Sequence, residues 1–143
     1  MRHIFLINPT AGGGGDTTAL IEQIQKVCEA RAVEYKISLT TAIGDATEAT
    51  RRFCQEASPD TPLRIYACGG DGTLGEVANG MADCPYAELG IIPCGTGNDF
   101  IRMFGEEAKL FSDIDALVHG TVRPIDIIDC NGRTGINICS VGI

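Results

Sequence analysis

The chain has 143 residues, enough for one domain with a proper hydrophobic core. Its apolar fraction of 44% is ordinary for a soluble globular protein, and 11 basic against 19 acidic residues leave a net charge of −8, which argues against the basic stripe of a nucleic-acid binder. No apolar run approaches the roughly 20 residues that a bilayer span requires, and "MRHIFLINPT" does not read as a secretory signal, because Pro and Gly follow its short apolar run at once.

"HIFLI" (3–7) is a short apolar run that stops at Asn8-Pro9 and predicts a buried strand. "TAGGGG" is a loop, Asp16 is the expected N-cap, and "TTALIEQIQKVCEARA" places Leu20, Ile21, Ile24, Val27 and Cys28 at helical spacing. "VEYKIS" (33–38) alternates as a second strand, "TTAIGD" is a turn, and "ATEATRRFCQEA" (46–57) is a second helix, broken at Ser58 to Pro62. "LRIYAC" (63–68) predicts a third strand, "GTLGEVANGM" (72–81) a helix, and "ELGIIPC" (88–94) a fourth strand. "GTGNDFIRMF" (95–104) opens as a loop that winds into a helix, and "AKLFSDIDALVHG" (108–120) predicts one further helix closed by Gly120. The pattern then changes. "TVRPIDIIDC" and "RTGINICSV" are strand-like runs joined at Asn131-Gly132, a strong hairpin signal.

The alternation of strand and helix predicts an α/β fold, a parallel sheet with helices on both faces, followed by an added β-hairpin. The expected division is an α/β nucleotide-binding unit over 1–120 and a hairpin over 121–143. "INICSVGI" ends as an apolar strand without turn or cap, so the chain is expected to be the first domain of a longer enzyme.

The cysteines at 28, 54, 68, 84, 94, 130 and 139 form no C-x-x-C pair, and their odd number and irregular spacing read as reduced thiols of a cytosolic protein. The only histidines are His3 and His119, so no zinc spacing arises. Cys68 and Cys94 read as small apolar packing at strand ends, with a redox-sensitive thiol beside a nucleotide as the alternative.

Gly-rich turns follow the first, third and fourth predicted strands: "NPTAGGGG", "GGDGT" and "PCGTGND". In an open parallel sheet the carboxyl ends of the strands lie along one edge, where the ligand crevice is found, so these turns converge. Glycine lets backbone N–H groups approach a phosphate, and the helix that starts near Gly72 adds its partial positive charge. Thr10, Thr73 and Thr96 offer hydroxyls. "GGDGTLG" also satisfies G-x-G-x-x-G through Gly70, Gly72 and Gly75, but the next strand ends at Pro93-Cys94, without the acid that a ribose would need. The first turn lacks the Gly-Lys-Ser/Thr of a P-loop. An aspartate beside phosphates makes sense where a divalent cation stands between them or a hydroxyl must be positioned for transfer. Asp71 therefore reads as an organiser of Mg²⁺, directly or through water, with Asp99 in the neighbouring turn and Asp126 as a third acid. The rival reading of Asp71 is a plain N-cap.

"NPTAGGG", "GGDGTLGEVANG" and "GTGNDFIR", in this order, resemble the catalytic domain of the diacylglycerol kinase, sphingosine kinase and bacterial lipid kinase family, and the likeness runs over nearly the whole chain. GGDGT alone is less specific, since NAD kinases and phosphofructokinases carry similar turns. The resemblance implies a three-layer N-terminal domain of the phosphofructokinase/NAD kinase type that binds ATP, and a C-terminal β-sandwich, with the lipid substrate in the cleft between them. It implies nucleotide contacts at Asn8, Thr10, Ala11, Gly12, Gly13, Gly14, Thr41, Gly69, Gly70, Asp71, Gly72, Thr73, Leu74, Gly75 and Thr96. It makes Asp71 the acid of the catalytic turn, and Asp71, Asp99 and Asp126 the positions linked to Mg²⁺ through water.

The implied activity is transfer of the γ-phosphoryl of MgATP to a lipid hydroxyl, most simply that of diacylglycerol at a membrane surface, by a cytoplasmic or peripheral protein. The family's general base and direct metal ligands lie in the second domain, so these 143 residues alone are expected to be inactive. A homodimer is compatible with this reading. The rivals are an NAD kinase-like or other small-molecule kinase, and a nucleotide-binding module without phosphoryl transfer.

Overall fold

The computed structural model describes residues 1–11, 17–94 and 97–136. The chain runs β1 (Arg2–Ile7), α1 (Thr17–Ala30), β2 (Glu34–Leu39), α2 (Asp45–Glu56), β3 (Leu63–Gly69), α3 (Asp71–Met81), β4 (Ala87–Pro93), α4 (Asp99–Arg102), a 3₁₀ segment (Gly105–Ser112), α5 (Ile114–His119), β5 (Ile128–Cys130) and β6 (Arg133–Gly135). The expected cap Asp16, Cys139 and the end of the last predicted strand lie outside the described residues.

The first four strands form one parallel sheet in the order β2-β1-β3-β4. Period-two alternation decides which side chain meets which layer. Ile4 and Leu6 of β1, with Ile65 and Ala67 of β3, face Ala46, Ala49 and Phe53 of α2 and Leu74 and Val77 of α3. Phe5 and Ile7, with Tyr66 and Cys68, face Ile24 and Cys28 of α1 and Ile114 and Val118 of α5. The central strands are thus buried on both sides, which is why they read as unbroken apolar runs. This is the expected α/β sandwich with helices on both faces.

The helices α2 and α3 approach closely because Gly80 has no side chain: a Cβ there would lie 2.6 Å from Thr50 Cβ. Thr50 is fully buried, and its hydroxyl has no hydrogen-bond partner among the described residues. An unpaired buried hydroxyl costs about 1–3 kcal/mol, so Thr50→Val, which keeps the branched shape, is expected to stabilise the fold by about 1 kcal/mol. A melting temperature raised by about 3–5 °C would support this; a lowered one would show that the hydroxyl is satisfied.

A buried polar cluster fastens α5 to the sheet. Arg64 Nη1 donates to the carbonyls of Leu117 at 2.8 Å and Val118 at 3.3 Å, and Arg64 Nε donates to Glu88 Oε2 at 2.8 Å. A guanidinium suits this place, because the last carbonyls of a helix lack intrahelical donors. Beside it, His3 Nδ1 and Tyr66 Oη lie 2.9 Å apart.

Two expected elements are corrected. The single helix over 108–120 is a 3₁₀ segment followed by α5. Asp113 separates them: its backbone is extended, and its side chain accepts from Ala116 N at 3.2 Å, so it starts a new helix inside a helical pattern. "TVRPIDIIDC" is strand only over Ile128–Cys130. Residues 121–127 are exposed and pair with no strand among the described residues, and Pro124 cannot donate to a ladder. The Asn131-Gly132 turn itself is as expected, with φ of 53° and 82° at the two residues and β5 antiparallel to β6.

Candidate functional site

β1 leads by α1 to β2 on one side, and β3 leads by α3 to β4 on the other, with α1 and α3 on opposite faces. Their loops part between β1 and β3, the switch point where α/β sheets open a crevice. The first turn starts there: Asn8 N donates to Cys68 O at 3.0 Å, so the end of β1 is still tied to β3. Asn8 Oδ1 then accepts from Thr10 N at 3.1 Å and Thr10 Oγ1 at 2.8 Å, and its Nδ2 donates to Thr73 Oγ1 at 3.4 Å. One asparagine shapes the first turn and joins it to the start of α3. Ala11 follows, with its N–H on Asn8 O at 3.2 Å. Gly12, Gly13, Gly14 and Thr96 lie outside the described residues.

At the second turn Gly69 must be glycine, because a Cβ would stand 2.4 Å from Thr73 Oγ1. Gly70 precedes α3, and no side chain caps the helix. The first N–H groups of α3 thus receive no cap from a side chain of their own N-cap residue, and the positive end of the helix dipole lies at the strand-end edge. Leu74 is different: its side chain is core and its N–H donates to Gly70 O at 3.1 Å. At Gly72 and Gly75 an added Cβ would meet nothing within 4 Å. No neighbour among the described residues requires these glycines, and glycine weakens a helix by about 0.5–1 kcal/mol against alanine.

Asp71 is the first residue of α3 and does not cap it. Its Oδ2 accepts from Asp99 N at 3.0 Å, and its Oδ1 accepts from Phe100 N at 3.3 Å, across to the turn after β4. The rival N-cap reading thus fails for Asp71's own helix; the carboxylate instead holds the start of α4. Asp99 is brought alongside: a Cβ on Gly97 would be 3.3 Å from Asp71 Oδ2 and 3.8 Å from Asp99 Oδ1. Asp99 Oδ1 also accepts from Arg102 Nη1 at 3.0 Å. Asp126 stands on the exposed 121–127 segment, and no cluster of three potential direct metal ligands forms among the described residues.

Thr41 is exposed beyond β2, and its N–H and hydroxyl both donate to Asp45 Oδ2, at 2.8 and 2.7 Å. The hydroxyl and N–H groups of this turn hold the Asp45 carboxyl below its usual range. The turn is tied to α3 by Glu76, whose Oε1 accepts from Gly44 N and whose carbonyl accepts from Thr47 Oγ1 at 3.0 Å. Asp45 and Glu76 are positioning residues that the sequence pattern alone did not single out. A cavity of about 280 Å³, lined by Asn8, Pro9, Thr17, Pro93, Cys94 and Ser112 among others, opens at the strand ends. A larger apolar one, about 590 Å³, follows the free edge of β4 and only touches this site through Phe100. Neither thiol near the site is activated: burial pushes Cys68 and Cys94 up.

Comparison with known proteins agrees with this geometry. The family model for the diacylglycerol kinase catalytic domain matches residues 2–130. A diacylglycerol kinase of Bacillus subtilis (strain 168) is 39% identical over 99% of this chain and 46% of its own length. One from Staphylococcus saprophyticus is 38% identical over 99% of this chain and 45% of its own. A crystal structure of a diacylglycerol kinase from Bacillus anthracis strain Sterne superposes with a TM-score of 0.73 at 30% identity, covering 93% of this chain and 48% of that one. The chain thus spans about half the length of the curated relatives it matches. With the family model matching nine-tenths of its residues, the chain belongs to the diacylglycerol kinase catalytic domain family.

Proposed function

We propose that this chain is the nucleotide-binding part of an ATP-dependent lipid kinase acting on a lipid hydroxyl, that of diacylglycerol, at a membrane surface. The observation that carries the reading is the uncapped start of α3 beside the open Gly72 and Gly75, at the switch point of a parallel sheet. Such a helix start attracts phosphate, and glycines that no described neighbour requires fit a backbone that a ligand must approach.

MgATP supplies the transferable phosphoryl group and the divalent charge. The chain's part is to bind and orient. N–H groups at the start of α3 and the hydroxyls of Thr10 and Thr73 would hold phosphate oxygens, and the turn carrying Thr41 would flank the rest of the nucleotide. Asp71 and Asp99 would hold the water shell of Mg²⁺. Gly12, Gly13, Gly14 and Thr96 would complete the cradle. Membership of the family and the names of its relatives support the lipid substrate. The hairpin would lead toward the part of the protein that holds the acceptor.

Gly72→Ala and Gly75→Ala test this directly. Each is expected to raise helix stability by about 0.5–1 kcal/mol and to weaken ATP binding about tenfold in calorimetric titration. Unchanged affinity in both variants would remove the phosphate cradle from α3. A substrate panel of diacylglycerol, sphingosine-like bases and NAD, assayed with the intact protein, should show transfer to diacylglycerol; transfer to NAD alone would replace the reading.

A further inference from the structure

Asn79 of α3 has no part in the function proposed above. Asn79 lies eight residues after Asp71 on the same helix, about 12 Å along its axis. Asparagine is unfavourable inside a helix, because its side chain competes for backbone hydrogen bonds. Here the side chain is fully engaged. Asn79 Nδ2 donates to Gly75 O and to Thr134 O, both at 2.8 Å, and Asn79 Oδ1 accepts from Thr134 N at 2.8 Å. The exchange with Thr134 takes both of its backbone groups, as a neighbouring residue does in an antiparallel ladder. One carboxamide therefore stands in for a third strand at the edge of β6.

The hairpin needs such a tie. Two short strands are marginal alone, and Ile125, Ile127 and Ile128 around β5 are exposed by 39 to 55%. Beyond it, Ile136 packs against the core of the α2–α3 layer, and Arg123 pairs with Glu107 and lies over the Phe104 ring, outside the hairpin strands themselves.

We propose that Asn79 is a positioning residue for phosphoryl transfer: by gripping Thr134 it fixes the hairpin, and the acidic segment carrying Asp126 and Asp129, against the helix that begins at Asp71. This rests on the kinase reading above. α3 is one rigid element, so the clamp sets the distance between its catalytic first turn and everything the hairpin carries.

The test is Asn79→Ala and Asn79→Asp in the intact protein, with Asp71→Asn as a control. Aspartate keeps the acceptor for Thr134 N but loses both donors. Both Asn79 variants are expected to lower kcat about tenfold or more while the Kd for ATP stays within about twofold. Amide exchange at 133–135 is expected to speed about tenfold, with β1 and β3 unchanged. A kcat within twofold of the parent, or a loss of ATP affinity equal to the loss of turnover, overturns the proposal. So does unaltered exchange at 133–135, a readout that needs no catalysis. Failure of the kinase reading looks different: the parent itself would show no transfer to diacylglycerol.

Discussion

Asp71→Ala is expected to lower phosphoryl transfer by about a hundredfold or more in the intact protein. The variant removes a carboxylate beside the start of α3 and, at the same stroke, the acceptor for Asp99 N and Phe100 N. Bonds from backbone N–H to a charged acceptor are worth about 1.5–3 kcal/mol each, less where water competes, so a stability loss of about 2 kcal/mol should accompany the loss of rate. Asp71→Asn separates the two effects. Its side-chain oxygen still accepts one of the N–H groups, so most of the stability should return. If the negative charge itself organises Mg²⁺ or the acceptor hydroxyl, the rate should stay low. Full activity in Asp71→Asn would reduce Asp71 to a strap between two loops, and full activity in Asp71→Ala would end its catalytic assignment.

This double role was only half legible in the sequence. The placement of Asp71 at a crevice follows from a strand, a glycine turn and a helix in order, because parallel sheets put all such turns on one edge. The pairing of Asp71 with Asp99 follows from adjacent strands β3 and β4 ending together. What no local pattern reveals is where the carboxylate points. Capping its own helix and bridging to a turn 28 residues later require the same residue at the same position, and tertiary geometry chooses between them. Asn79 shows the same limit: its partner lies 55 residues away, and the one clue is an asparagine where a helix would prefer almost anything else. The strands β1 to β4 and the helices α1 to α3 agree with the expected bounds within a residue or two, since burial on fixed faces imposes their periods. The 108–120 segment was misread because Asp113 interrupts it without breaking the apolar spacing of Ile114, Leu117 and Val118. In 121–127 the β-branched composition was real, but a strand needs a partner, and the described residues provide none.

The second large effect concerns stability against pH. His3 is only 4% exposed, its Nδ1 sits 2.9 Å from Tyr66 Oη, and its ring stacks on that of Tyr66. Burial first, then the Arg64 guanidinium, the N-terminal amine and His119, lower its pKa from 6.5 to about 4, with Glu88 opposing. The folded chain therefore keeps His3 neutral where the unfolded chain would protonate it. Stability from this source is complete above pH 6.5, falls as the pH drops from about 6.5 to 4, and is lost below that. The full window is worth about 3 kcal/mol. The carboxylates held low in the fold, Asp45 and Asp115, act in the same direction but only below their unfolded value near 3.8, so the two windows are separable. Urea midpoints at pH 7, 6, 5 and 4 should fall steeply for the parent chain. In His3→Gln, which keeps a hydrogen-bonding group toward Tyr66 and cannot titrate, the decline over this range should shrink by most of that amount. Equal declines in the two proteins would mean that His3 accepts its proton without disturbing the Tyr66 and Arg64 cluster, and the burial argument for this corner of the core would have to be abandoned.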